Sequence, residues 1–198
     1  NTAIPVNFGT GETAAKTIDI RIVDYTATAG NETINLSLTN PTGTSHVTLG
    51  TQSTATLNIV DNDIAGTLQF SAPTFSLNED GTTSAAVTVT RTGGSAGAVS
   101  ATVNLANGTA TAPGDYTGTA IPVNFAAGDT APKTVPISIA NDTLVEGTET
   151  VSLTLASPTG GATIGTQNAA TLSIADNDSS LQFSAPTFSL NEDGTAVA

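Results

Sequence analysis

The residues able to do chemistry in this 198-residue chain are almost all carboxylates: 17 Asp plus Glu stand against four Lys plus Arg, for a formal charge of −13. Cysteine is absent and His46 is the only histidine, which removes thiolate nucleophiles, Cys-ligated zinc, His-rich metal sites and a repeated Ser-His-Asp arrangement. Carboxylates alone leave two chemistries, acid–base work on a glycosidic bond or coordination of a hard cation. Aromatic residues make up 4% of the chain and Trp is absent, so a sugar has no stacking platform, and the chain is not expected to be an enzyme. Lys16, Arg21, Arg91 and Lys133 are the only basic residues, too few for a phosphate-backbone footprint, so nucleic acid is excluded as a partner. No apolar run approaches the ~20 residues of a spanning helix, and direct membrane insertion is not expected.

The elements that position these acids come from an internal repeat. LQFSAPTFSLNEDG at 68–81 recurs at 181–194, an offset of 113, and IPVNFGTGETAAKTIDI at 4–20 matches IPVNFAAGDTAPKTVPI at 121–137, an offset of 117. NIVDND at 58–63 matches SIADND at 173–178, an offset of 115. The drift arises in one loop, where PTGTSHVTLGT at 41–51 is two residues longer than PTGGATIGT at 158–166. The expected division is the C-terminal part of a first repeat at 1–66, a complete repeat at 67–178 and the N-terminal strand of a third at 179–198.

Within 67–178 apolar residues alternate with Thr, Ser and Asn, the period-two pattern of half-buried strands. Strand A carries Leu68, Phe70, Phe75 and Leu77; B, Val87 and Val89; C, Val99, Ala101, Val103 and Leu105; D, Ile121, Val123 and Phe125. Strand E carries Val135, Ile137 and Ile139; F, Val151, Leu153 and Leu155; G, Leu172 and Ile174. Turn residues such as Gly93-Gly94, Gly114-Asp115 and Pro158-Thr159-Gly160 separate them. Seven short strands without a helical period predict an all-β fold of immunoglobulin-like antiparallel seven-stranded sandwiches in tandem.

If the strands run up and down, loops A–B, C–D and E–F and the exit from G share one end. Glu79 and Asp80 fall in A–B, Asp115 in C–D, Asp142, Glu146 and Glu149 in E–F, and Asp176 and Asp178 after G; of the nine acids of this repeat, only Asp129 goes to the far end. Each pair of such charges repels by about 1 kcal/mol at ~4 Å even in water. Neutralisation by a hard cation with oxygen ligands is the expected answer, and calcium, with six to eight flexible oxygen ligands, suits this set better than octahedral magnesium. The alternative is a set of solvated acidic turns. It leaves the sparsity of acids in loops B–C, D–E and F–G without a cause. Since DND ends strand G and the next repeat begins at Ile64 or Ser179, the acidic pole is also the junction with the neighbouring repeat of the same chain.

The run GDYTGTAIPVNFAAGDTAPKTVPISIANDTLVEGTETVSLTLASPTG followed by ATLSIADND resembles the Calx-beta domain, found as calcium sensors in sodium–calcium exchangers, in an integrin subunit and in large repetitive surface proteins. Position by position, the resemblance implicates Glu79, Asp115, Asp142, the carbonyl of Leu144, Glu146, Glu149, Asp176 and Asp178 as metal ligands. Asn141 and Asn177 stand where strong sites of the family carry Asp, which implies weak affinity of the ~10⁻⁴–10⁻³ M kind typical of extracellular modules. In the N-terminal segment Asp24, Glu32, Asp61 and Asp63 are kept, but Tyr25 replaces the equivalent of Asp142 and Ala29 that of Glu146. Glu192 and Asp193 begin a third acidic set.

The expected function is a calcium-binding tandem repeat that acts as a calcium-stiffened spacer in a secreted or cell-surface, membrane-associated adhesion protein. The alternative is a repeat that binds a protein or glycan ligand through a sheet face or its calcium-free loops. His46, in the lengthened loop, reads as a solvated residue, and NET at 31–33, NGT at 107–109 and NDT at 141–143 fit the glycosylation sequon.

Overall fold

A computed structural model describes residues 3–43, 46–80, 83–84, 87–118, 120–189 and 192. Asp193 of the third acidic set lies outside the described residues. The described elements are all strands: β1 (Glu32–Ser37) and β2 (Thr54–Ile59) lie in the N-terminal segment, and twelve more fall in 67–175. These are β3 (Thr67–Phe70), β4 (Thr74–Asn78), β5 (Thr83–Ser84), β6 (Thr88–Thr92), β7 (Val99–Asn107), β8 (Tyr116–Thr117) and β9 (Ala120–Phe125). They continue with β10 (Lys133–Thr134), β11 (Ile137–Ile139), β12 (Glu149–Ala156), β13 (Thr163–Ile164) and β14 (Ala169–Ala175).

The larger sheet has the order β4-β14-β12-β7-β9, and opposite it run β10-β6-β3-β13 and β5-β11-β8. All seven expected strands are present, several of them in pieces. Proline accounts for two breaks, because it has no N–H to give to a ladder. Pro73 lies between β3 and β4 and Pro136 between β10 and β11. Strand A thereby changes sheets, with β3 antiparallel to β6 and β4 parallel to β14. That pairing, and the parallel β13–β3 contact, depart from the purely antiparallel expectation.

Alternation does what period two predicts. Along β7, Val99, Ala101, Val103 and Leu105 are buried while the residues between them are not. They meet Phe70, Val87, Val89, Phe125, Ile137, Val151, Leu153 and Leu172 in one core, and the Phe70 and Phe75 rings meet edge to face at 6.3 Å.

The N-terminal segment repeats one part of this plan. β1 and β2 pair antiparallel with Glu32 opposite Ile59, the register in which Glu149 lies opposite Ile174 in the β12–β14 pair. Segments 4–8 and 17–20, whose sequences match β9 and the β10–β11 region, form no ladder. In 67–178 those strands pair with β5, β6, β7 and β8, for which the N-terminal segment has no counterpart. Ile4, Phe8, Ile18 and Ile22 are accordingly exposed.

Candidate metal centre

The acids come together at one pole through the loops after β4, between β7 and β8, between β11 and β12, and after β14. Each loop is fastened from below. Tyr116, fully buried, donates its hydroxyl to Asn107 Oδ1 at 2.7 Å, and the same oxygen accepts the Ala112 N–H at 3.1 Å, which anchors the turn carrying Asp115. Burial of that phenol pushes its pKa up. Asp115 Oδ2 accepts the Thr111 N–H at 2.6 Å. Glu79 sits where β4 ends, its own N–H donating to the Ala175 carbonyl at 2.9 Å, and it is 7% exposed.

Six of the eight sequence-predicted positions form two groups of three. Glu79, Asp142 and Asp178 make one and Asp115, Glu146 and Glu149 the other, and within each group one carboxylate oxygen per residue lies within 4.8 Å of the others. Asp176 belongs to neither. Its Oδ2 accepts the Glu146 N–H at 2.6 Å and its Oδ1 the Asp178 N–H at 2.7 Å, so it ties the β11–β12 loop to the exit of β14. Leu144 lies on the same loop, its N–H donating to Asp142 Oδ1 at 2.7 Å. Asp129 is at the other end, paired with Lys133, which holds its carboxyl below the ordinary value.

The electrostatics carry the mark of crowding. The Glu146 carboxyl is raised above its ordinary value by desolvation first, then by the negative field of Asp142, Asp115, Glu79 and Asp176. Glu149 is raised by desolvation first, then by the charge of the adjacent Asp115 side chain, with Glu146 and Glu79 adding to the field. Among the described residues, the buried side-chain oxygen without a hydrogen-bond partner is Asp178 Oδ2. Buried polar atoms are almost always paired, and an orphaned carboxylate oxygen beside Glu79 and Asp142 is where a cation would stand. All-oxygen donors, two converging triplets and that orphan fit calcium.

Asn177 takes a part beyond its absence of charge. Its Nδ2 donates to the Glu79 carbonyl and lies 3.5 Å from Asn141 Oδ1, so an amide spans the cleft between β4 and the β11–β12 loop. In the sequence its signal is the middle position of the DND triplet, which shows a missing carboxylate and not the bridge.

The N-terminal pole differs. Asp61 Oδ2 accepts the N–H groups of Ala29 at 2.9 Å and Gly30 at 2.8 Å, and its Oδ1 that of Asp63 at 3.0 Å. Among the described residues, no group of three carboxylates converges there.

No curated protein gives a significant match to the chain. Among solved structures, the apo-form Calx CBD1 domain is 24% identical with a TM-score of 0.52, the match covering 56% of this chain and 96% of that one. A calcium binding domain CBD12 of CALX1.1 matches with 24% identity and a TM-score of 0.52 over 56% of this chain, and the match spans 46% of that chain. The Calx CBD2 domain matches at 16% identity and a TM-score of 0.53, over 58% of this chain and 89% of that one. These likenesses show the fold. The family model of the Calx-beta domain matches residues 1–63 and 61–178, nearly the whole length, and the chain therefore belongs to the Calx-beta domain family.

Proposed function

We propose that the chain binds calcium at the acidic pole of a complete repeat spanning 67–178. One ion is held by Glu79, Asp142 and Asp178 and a second by Asp115, Glu146 and Glu149, with the Leu144 carbonyl and water completing the shells. The observation that carries this reading is the pair of carboxylate triplets, one of which contains the unpartnered, buried Asp178 Oδ2. The calcium binding domain CBD12 of CALX1.1 shares this fold, which supports the choice of ion. Calcium offsets the desolvation and the repulsion that raise Glu146 and Glu149, so the folded state gains what the unfolded chain cannot.

The role follows from where the pole lies. Asp176 and Asp178 close β14, and the segment that repeats β3 and β4 begins at Leu181, so an ion there joins the β11–β12 loop to the exit toward the next repeat. The chain is thus a spacer, a C-terminal part of one repeat at 1–66, a complete one, and the first strand of a third at 179–198, stiffened by calcium. Millimolar-range affinity, set by the amides of Asn141 and Asn177 in place of carboxylates, suits an extracellular or cell-surface protein of the adhesion type. It is a binding module and not an enzyme.

Isothermal titration of chelator-treated protein with calcium tests this, beside melting curves of the unsubstituted chain and of Glu146→Ala with Asp178→Ala. Saturable binding with a raised melting temperature, lost in the double variant, is expected. Absence of binding at millimolar calcium overturns the reading.

A further inference from the structure

Arg91 stands on β6 at the pole opposite the acidic triplets, 2% exposed, and every hydrogen bond it makes goes to a backbone carbonyl. Its Nε donates to Ala65 at 2.9 Å, one terminal nitrogen to Ala126 at 3.0 Å and Asp129 at 3.3 Å, and the other to Ala96 at 2.8 Å and Gly97 at 3.0 Å. All five guanidinium donors are used. A buried cation hydrogen-bonded to carbonyls and to no carboxylate is costly even with the Asp129 charge in its field, and the chain accepts that cost at the place where three segments meet: the lead-in to β3, the β6–β7 loop and the β9–β10 loop.

The β6–β7 loop is bonded to the N-terminal segment. The Gly97 N–H donates to the Thr26 carbonyl at 2.9 Å and the Ala96 N–H to Ile64 at 3.0 Å, while the Gly128 N–H, donating to Ser95 at 2.8 Å, ties the β9–β10 loop to the β6–β7 loop. The fit is close enough to need missing side chains. A Cβ on Gly94 would lie 2.2 Å from the Ile64 carbonyl oxygen, and one on Gly161 3.2 Å from Thr28 Oγ1. A groove of about 510 Å³ runs along this seam, between Thr26, Asp63 and Ile64 on one side and Gly94, Ala96 and Gly128 on the other.

We infer that Arg91 turns the 93–97 and 126–129 loops into a docking platform for the acidic-pole loop of the preceding repeat, fixing the angle between neighbouring units through backbone contacts that need no metal. Each guanidinium donor holds one carbonyl inward, and this leaves the Ala96 and Gly97 N–H groups facing the neighbour. The partner is another unit of the same kind. Aligned by the repeat, Leu144 and Val145 occupy the places of Ala27 and Thr28, so docking by a following unit would cover two side chains now 60% and 53% exposed. This contact stands independently of calcium binding at 79–178.

The chain has no cysteine, so spin labels can be placed at will, for example at Thr33→Cys on β1 and Ser152→Cys on β12. Distances between them are measured by pulsed electron resonance in chelator and again in calcium. One narrow distribution in chelator is expected. Arg91→Lys, which keeps the charge but offers three donors, should widen it about twofold at a temperature where the circular dichroism spectrum is native. Thr28→Arg, which jams the seam from the other side, should widen it equally while the melting temperature of 67–178 stays unchanged. A distribution that is broad in chelator and narrows only with calcium overturns the inference and leaves the calcium reading standing. So does a narrow distribution in both variants, which would make Arg91 a stabiliser of its own unit alone.

Discussion

The two acidic poles of this molecule share a fastening and differ in what it holds. Asp61 and Asp176 occupy the same repeat position, and each accepts a backbone N–H of the loop ahead of the hairpin, from Ala29 and Glu146 respectively. Each also accepts the N–H two residues on, from Asp63 and Asp178. Among the described residues, only the pole of 67–178 gathers carboxylate triplets, because Asp142 and Glu146 stand there where the N-terminal pole has Tyr25 and Ala29, and because Glu79 and Asp115 have no counterpart in 1–66. The first Asp of the DND triplet is therefore a fastener that works without a metal set. The carboxylate triplets are a separate layer added around it.

Converting one pole into the other gives the largest expected effect. Asp142→Tyr with Glu146→Ala makes the pole of 67–178 copy the N-terminal one. It should abolish the calcium-induced rise in melting temperature, worth about 2.7 kcal/mol at one hundred times the dissociation constant. The chelator-treated variant should melt no lower than the unsubstituted chain, since two crowded acids are gone while the Asp176 fastening remains. Parallel thermal scans with and without calcium check both points. A retained calcium response would show that the ligands lie elsewhere.

How much of this was legible beforehand follows from particular residues. Strand parity alone brings Glu79, Asp115, Asp142, Glu146, Glu149, Asp176 and Asp178 to one end, because alternation fixes which loops share a pole. It could not separate Asp176 from the triplets, since a carboxylate that accepts N–H groups and one that faces a cation look alike in sequence. The amide bridge of Asn177 was hidden for the same reason. Local sequence was also insufficient to decide which copies form strands. Leu68 and Phe70 are fully buried in β3, whereas the identical Leu181 and Phe183 are 101% and 86% exposed and in no ladder. Phe183 and Phe188 still meet edge to face at 6.1 Å, close to the 6.3 Å of Phe70 and Phe75. The local aromatic contact is written in the segment; the strand is written in its neighbours.

Acid should sharpen the contrast next. Glu146 and Glu149 are raised above the ordinary glutamate value, so the metal-free folded chain keeps protons that the unfolded chain has released. Between the ordinary and the raised value, their contribution to stability falls as pH rises. Asp61 is held low by the N–H groups of Asp63, Gly30 and Ala29, so its contribution is full above the ordinary aspartate value and is lost only as pH falls below it. Chelator-treated protein should thus melt higher on mild acidification, while calcium affinity drops over the same interval because protons compete for the ligands. Calorimetric titrations across the mildly acidic range check the second trend, and an affinity independent of pH there would count against Glu146 and Glu149 as ligands.

A smaller effect isolates the fastening itself. Asp61→Asn and Asp176→Asn each keep one acceptor oxygen and lose the charge and the second acceptor. In chelator, amide exchange at Ala29, Gly30 and Asp63 in the first variant, and at Glu146 and Asp178 in the second, should speed up by about tenfold, as for loss of a charge-assisted hydrogen bond. Equal acceleration at the two poles supports a shared role. Acceleration at the pole of 67–178 alone would mean that its Asp176 bonds are incidental to the crowding around them.

The smallest expected change lies at Asn177, where the amide spans a cleft that a carboxylate would fill differently. Asn177→Asp removes the donor to the Glu79 carbonyl and places a further negative charge beside Glu79, Asp142 and Asp178. Without metal, the added repulsion and the lost hydrogen bond should lower the melting temperature slightly. With calcium the sign reverses, because an extra hard ligand strengthens the site, and affinity should rise by roughly severalfold to tenfold. A variant destabilised in chelator and tighter for calcium would identify the amide as an internal substitute for metal charge. One that is destabilised in both conditions would make Asn177 a structural bridge, whose cost in affinity is the cost of holding the cleft together.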